Sequence, residues 1–200
     1  MVEIVIATNN IGKIKEIKDI LVSSKIKILT IKDFPHFPEV EEDGKTYQEN
    51  AFKKARKVLE YTGKICLADD SGLEIDYLKG EPGIYSSRWE NSDEERINKA
   101  LKLLEDVPRN KRNAKFVCVA VLVFPDGKTR TVKEECHGRI EFKPKGEHGF
   151  GYDPIFLVPE YNKTFSELGD KIKNQISHRA KAMRKMANII NELIVRENSR

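Results

Sequence analysis

Nine consecutive apolar residues, Phe116 to Phe124, run directly into Pro125-Asp126-Gly127-Lys128 and then into a second β-rich stretch, Thr129 to Cys136. A valine-rich run of this length reads as a strand buried on both faces, and the Pro-Asp-Gly tetrad reads as a tight turn. The chain therefore contains an antiparallel hairpin, and the rest of it must be compatible with that hairpin. Elsewhere apolar β-branched runs alternate with helical periodicity. Val2 to Ala7 reads as a buried strand. It leads through Thr8-Asn9-Asn10, with Asn9 or Asn10 as N-cap, into a helix carrying Ile11, Ile14, Ile17, Ile20 and Leu21. Lys25 to Ile31 reads as a second strand, and the proline- and acid-rich segment Phe34 to Lys45 as a loop.

Thr46 and Glu49 have capping-box spacing and open a helix to about Thr62, with Ala51, Phe52, Ala55, Val58 and Leu59 inward and Gly63 as its stop. Ile65 to Ala68 reads as a central strand that ends at Asp69-Asp70-Ser71-Gly72, and Leu73 to Leu78 as the next one. Ser92 and Glu95 form a second capping box before Ile97, Ala100, Leu101 and Leu104. Ser177 caps a last helix with Ala180, Met183, Ala187, Ile190, Leu193 and Ile194 on its apolar face. Alternating helices and strands plus one antiparallel hairpin predict an α/β fold with a mixed sheet. At 200 residues, a single domain spanning 1–200 is expected.

Charge is mixed, with 36 basic and 32 acidic residues and a net +4. That excess suits an anionic small molecule and provides no basic stripe for nucleic acid. The cysteines Cys66, Cys118 and Cys136 lie far apart and form no CxxC pair, which argues against zinc and a disulfide framework. No apolar stretch approaches membrane-span length, and Met1-Val2-Glu3-Ile4 lacks a basic leader. The cytoplasm is the expected compartment, with no membrane partner.

Four further features carry chemistry. Adjacent carboxylates Asp69 and Asp70 at the end of a buried strand raise each other's pKa unless a cation lies between them, which suits a metal-binding, water-activating site as well as a solvated turn. Thr8, Asn9, Asn10, Ile11, Gly12 and Lys13 form a helix start with exposed N–H groups and a cation, fit for phosphate as well as for plain capping. Gly149-Phe150-Gly151-Tyr152-Asp153-Pro154 offers two rings that could stack on a nucleobase and a carboxylate that could read a ring N–H. Lys173, His178 and Arg179 cluster around the start of the last helix, where cations oppose the macrodipole at roughly 0.3–1 kcal/mol per charge. An anion at that spot would offset the cost. The acidic run Glu39, Glu41, Glu42 and Asp43 reads as a solvated surface that could also supply a carboxylate to Mg²⁺.

Taken in order, TNNIGK, TYQENAFKKA, ADDSGLEID, PGIYSSRW, GYDPIF and KNQISHRAKAM span almost the whole chain. Together they resemble the inosine triphosphate pyrophosphatase family, whose members are also called XTP/dITP diphosphatases. The resemblance implies an elongated mixed β-sheet with helices, two lobes flanking a substrate cleft, and usually a homodimer. It implies Mg²⁺-dependent hydrolysis of the purine nucleoside triphosphates ITP, dITP and XTP to the monophosphate and pyrophosphate, removing them from the nucleotide pool. Carried over by position, Thr8 to Lys13 match the phosphate turn, and Asp70 matches the catalytic, metal-linked aspartate with Ser71 touching substrate. Lys53 falls where the family has a phosphate-facing lysine. Phe150, Gly151, Tyr152 and Asp153 match the base-binding loop, and Lys173, His178 and Arg179 the basic substrate-binding set. The metal-binding glutamate best matches Glu41, with Glu39 and Glu42 as the alternatives. Asn9 stands where the family often has glycine, and Ala180 replaces a glycine after His178-Arg179. A Maf-like nucleotide pyrophosphatase is the alternative enzyme, and a non-catalytic nucleotide- or RNA-binding module the alternative of another class.

Overall fold

The computed structural model describes residues 1–21, 25–38 and 40–197, with side chains through 192. Seven strands form one sheet: β1 (Val2–Ile6), β2 (Ile26–Thr30), β3 (Ile65–Ile75), β4 (Asn113–Val123), β5 (Thr129–Ile140), β6 (Phe156–Val158) and β7 (Lys163–Thr164). Their order is β2-β1-β3-β4-β5-β6-β7. β1 pairs in parallel with β2 and β3, whereas β6 is antiparallel to β5 and β7, so the sheet is mixed as expected. The helices are α1 (Ile11–Ile20), α2 (Tyr47–Thr62), α3 (Asp93–Leu103), α4 (Phe165–Ile176) and α5 (His178–Glu197). The β1–α1–β2 connection joins parallel neighbours through a helix, and β2–α2–β3 crosses over β1 through another, the arrangement that buries such strands on both faces.

The hairpin forms as its sequence demands. Phe124 N–H donates to the Lys128 carbonyl at 3.0 Å and Gly127 N–H to Phe124 at 2.9 Å, with Gly127 at φ +82°. Asn10, not Asn9, caps α1, its side chain accepting from Lys13 N–H at 3.1 Å. Thr46 caps α2 through Glu49 N–H, but the Glu49 carboxylate turns back to Lys45 N–H, so only half of the expected box closes there. The Ser92–Glu95 box is complete. A third box, Thr164–Glu167, opens α4, a helix absent from the sequence-based expectation although its T-x-x-E signal is present.

Two expectations are corrected. Asp69 and Asp70 do not terminate a strand: β3 runs unbroken through both to Ile75. Ile11 is not on the apolar face of α1 but 71% exposed at the turn. Leu193 and Ile194, expected on the apolar face of α5, lie outside the described side chains.

The chain packs as two compact units. The first comprises Met1–Asp70, Cys118–Glu134 and Arg179–Arg200, and the second Ser71–Val117 and Glu135–His178. Each has its own core. In the first, Ile4, Ile6, Ile17, Leu67, Leu122, Met183 and Met186 pack together. In the second, Leu73, Ile75, Leu104, Phe116, Ile155, Phe156 and Phe165 do so, with Phe156 stacked on Phe165 at 5.2 Å.

Candidate active site

Two neighbours on a strand point to opposite faces of its sheet. That geometry resolves the problem posed by adjacent Asp69 and Asp70, because each carboxylate meets its own cations. Asp69, on the face of Leu67, receives Lys13 Nζ at 3.1 Å and Arg179 Nε at 3.2 Å. Arg179 also pairs with Glu16, from the buried side of α1. Asp70 receives Lys54 Nζ on Oδ1 at 3.2 Å and Asn50 Nδ2 on Oδ2 at 3.3 Å. All of these residues belong to the first unit.

Asp70 is 5% exposed. Burial pushes its carboxyl above the ordinary range; Lys54 and Lys13 pull it back down without cancelling the effect, and Glu42 adds to the rise. A carboxylate raised in this way is a stronger base than a solvated one, which suits proton abstraction from water. Lys54 is also shifted up, but by the opposite balance of causes. Desolvation acts to lower it, and the charges of Asp70, Glu42 and Asp69 outweigh that and keep it protonated.

Lys53, the lysine carried over by motif, is not at Asp70. It points to solvent and pairs with Asp43, while its neighbour Lys54 is buried against Asp70. A helical-wheel argument finds Lys54, because it lies three residues after Ala51 and four before Val58, both fully buried. Asn50, four before Lys54, shares that face and was equally missed, as was Glu16. Of the acidic loop, Glu42 approaches the site, its Oε1 lying 3.2 Å from Lys54 Nζ. Glu41 is exposed, and Glu39 lies outside the described residues.

The turn expected to meet phosphate is organised by Asn10, whose N–H donates to Thr8 Oγ1 at 3.2 Å. Asn9 and Asn10 are exposed, Gly12 is partly so, and Lys13 swings from the first turn of α1 onto Asp69.

Ser71 and the remaining expected residues lie in the second unit. There the glycine loop is folded around Asp153. Its carboxylate accepts from Phe150 N–H at 3.0 Å and pairs with Lys173, whose Nζ lies 4.4 Å from the centre of the Phe150 ring. Gly149, at φ +82°, must be glycine, since a Cβ would come within 2.1 Å of Asp153 Oδ2. Gly151 N–H donates to Asp93 at 2.7 Å. Tyr152 is buried with its hydroxyl on the Ser86 carbonyl at 3.0 Å, so of the two rings expected to stack on a base only Phe150 is partly open. Burial also raises the Tyr152 phenol. His178 is buried and stacked on Phe116 at 4.7 Å.

Among the described residues, no group of three or more His, Cys, Asp and Glu side chains is placed to hold a metal by itself. Asp70 and Glu42, sharing Lys54 between them, still fit the donor chemistry of Mg²⁺, which needs only one or two carboxylates when substrate phosphates supply the rest. No described helix is long and apolar enough to cross a membrane.

The chain is of the mixed α/β class, with a buried, cation-flanked aspartate on β3, a side-chain-capped helix start after β1 and, in the second unit, a glycine loop folded around a carboxylate. The family model described as the Ham1 family matches residues 4–189, and the chain belongs to that family. It is similar to proteins named dITP/XTP pyrophosphatase in Desulforamulus reducens, at 49% identity over 98% of both chains, and in Geobacter sulfurreducens, at 49% over 92% of this chain and 94% of the other. Among solved structures it resembles a HAM1 protein from Coxiella burnetii, with a TM-score of 0.87 at 40% identity over 96% of this chain and 100% of that one. It also resembles the Staphylococcus aureus Ham1 protein, with a TM-score of 0.85 at 42% identity over 95% and 98%.

Proposed function

We propose that this protein is a nucleoside triphosphate pyrophosphatase that hydrolyses ITP, dITP and XTP to the monophosphate and pyrophosphate. The observation that carries the reading is Asp70, a buried carboxylate held by Asn50 and Lys54 with its basicity raised by burial. The relatives named dITP/XTP pyrophosphatase support the substrate class. In this scheme a water forms a bond to the α-phosphorus while its proton passes to Asp70. The bond from the α-phosphorus to the bridging oxygen breaks, and pyrophosphate leaves. Lys13, Lys54 and the N–H groups of the Thr8–Lys13 turn offset phosphate charge, the main source of acceleration in phosphoryl transfer. Asp70 with Glu42 or Glu41 would hold Mg²⁺, which would supply further charge neutralisation. Arg179, almost fully buried, gives Nε to Asp69 and Nη1 to Glu16, so we assign it first to holding those carboxylates. A homodimer belongs to this reading on the motif resemblance alone, and a cytoplasmic setting on the expectation drawn from the sequence.

Base choice falls to the second unit. Phe150 supplies a stacking face, and Lys173 beside Asp153 sets a donor next to an acceptor. A 6-oxo purine presents an acceptor at position 6 and a donor at position 1, and adenine reverses both. Each mispaired buried group costs roughly 1–3 kcal/mol, so ATP should be disfavoured by about 10² in kcat/KM. The test measures kcat/KM for ITP, XTP, GTP and ATP with Mg²⁺ and identifies the products. ATP turnover within a few-fold of ITP would sink the base-reading scheme, and orthophosphate as first product would sink the pyrophosphatase reading.

A further inference from the structure

Asn50 is fully buried on α2, and both ends of its amide are committed. Its Oδ1 accepts from Gly44 N–H at 2.8 Å, and its Nδ2 donates to Asp70 Oδ2 at 3.3 Å. A backbone N–H only donates and a carboxylate only accepts, so this amide has one satisfying orientation. Gly44 thereby fixes which way Asn50 faces, and Asn50 holds one oxygen of Asp70 while Lys54 holds the other. The same stretch of loop is bound to α2 again through Glu42 to Lys54 and Asp43 to Lys53.

Gly44 has a reason to be glycine that is not a backbone one. A Cβ there would meet Asn50 Oδ1 at 2.5 Å and Glu49 Cβ at 2.9 Å. Any side chain at 44 pushes first on the atom that orients Asn50.

We infer that Asn50, set by Gly44, is a positioning residue that fixes the rotamer of Asp70 and couples it to the seating of the acidic loop. The inference rests on Asp70 being the catalytic carboxylate. Lost orientation slows the chemical step more than it weakens substrate binding, because Lys13 and the groups of the second unit that face the base are untouched. Partners of this kind are worth about 10–100-fold in activity.

The test is a double-mutant cycle on kcat and KM for ITP with Mg²⁺, using Asn50→Ala, Gly44→Ala and the pair, with Asp70→Asn in parallel. Asn50→Ala should lower kcat by about 10–100-fold while KM moves less than about 3-fold, and Gly44→Ala should lower kcat in the same manner. In the pair, Gly44→Ala should lose most of its effect, because its first obstacle, Oδ1, is gone. If Asn50→Ala does not fold, Gly44→Ala alone decides, through its kcat-against-KM split. Wild-type kcat in Asn50→Ala or Gly44→Ala, or effects that simply multiply in the pair, overturns the inference provided Asp70→Asn is inactive. An active Asp70→Asn instead overturns the catalytic reading beneath it.

Discussion

Arg112 and Arg179 are both almost fully buried, one in each unit, and they are held by opposite means. Arg112 is surrounded by carbonyls. It donates to Ile140 at 2.8 Å, Leu104 at 2.6 Å and Glu141 at 2.8 Å, and its guanidinium lies 4.3 Å from the centre of the Phe142 ring. Arg179 is surrounded by carboxylates, Asp69 and Glu16. Burial depresses the Arg112 guanidinium more than nearby Glu141 restores it. For Arg179 burial also acts downward, but the charges of Asp69 and Glu16 win and push it up. Desolvation is common to both, so the partners decide the role. Arg112 ties together the ends of strand and helix segments, whereas Arg179 joins a charge network that reaches Lys13 and the aspartate pair.

The largest test of that contrast is Arg179→Met. It leaves Asp69 and Glu16 buried against each other's charge, a loss of about 3–5 kcal/mol for a broken buried pair. Denaturant unfolding should show it, and adding Glu16→Gln and Asp69→Asn should recover much of it. Equal stability of the single and triple variants would break the comparison. Arg112→Met should cost less, roughly 1–3 kcal/mol for carbonyls left without a donor. Glu141→Gln should not rescue it, because the lost partners are backbone groups, and kcat/KM of the folded variant should stay within about 2-fold, below the tenfold that 1.4 kcal/mol would represent. A tenfold loss of kcat/KM would place Arg112 with the site after all.

The smallest effect is in pH. Glu141 is buried beside Arg109 and Lys145. Burial acts to raise its carboxyl, and the two cations together hold it below the ordinary 4.5. A depressed carboxyl contributes stability above its unfolded value that is lost as pH falls through the folded one. Glu141→Gln should therefore melt below wild type at pH 7 and converge with it as pH drops below about 4.5. A difference that stays constant with pH would show that the ion pairs contribute nothing.

The fold was largely legible in the chain. β1, β2, the hairpin, α2, α3 and α5 follow from period, capping residues and the stop at Gly63, all signals carried by neighbours within a few residues. The site was legible as a set of stretches. The capped turn before α1, the buried Asp70 and the glycine loop around Asp153 with Lys173 are structured features at the stretches the motifs singled out. Lys53 was not: one position along a helix turns a side chain by about 100°, and motif matching had no reason to prefer it over Lys54. The unbroken course of β3 through Asp69-Asp70 was also hidden, because two carboxylates in mid-strand look like a strand end until their cations are known.

By itself, then, the sequence determined the alternation of helices and strands and the antiparallel hairpin. Those rest on local sterics, periodicity and capping, which act over a few residues. Only the tertiary structure decided which cation each aspartate meets. Arg179 reaches Asp69 across 110 residues and Glu16 across 163. Sequence placed Arg179 at a helix start, where a positive charge opposes the dipole and an anion was expected to compensate. In the folded chain Asp69 and Glu16 provide that compensation. The physical reason is that Coulomb energies and desolvation depend on distance in space and on burial, and neither is a property of position along the chain.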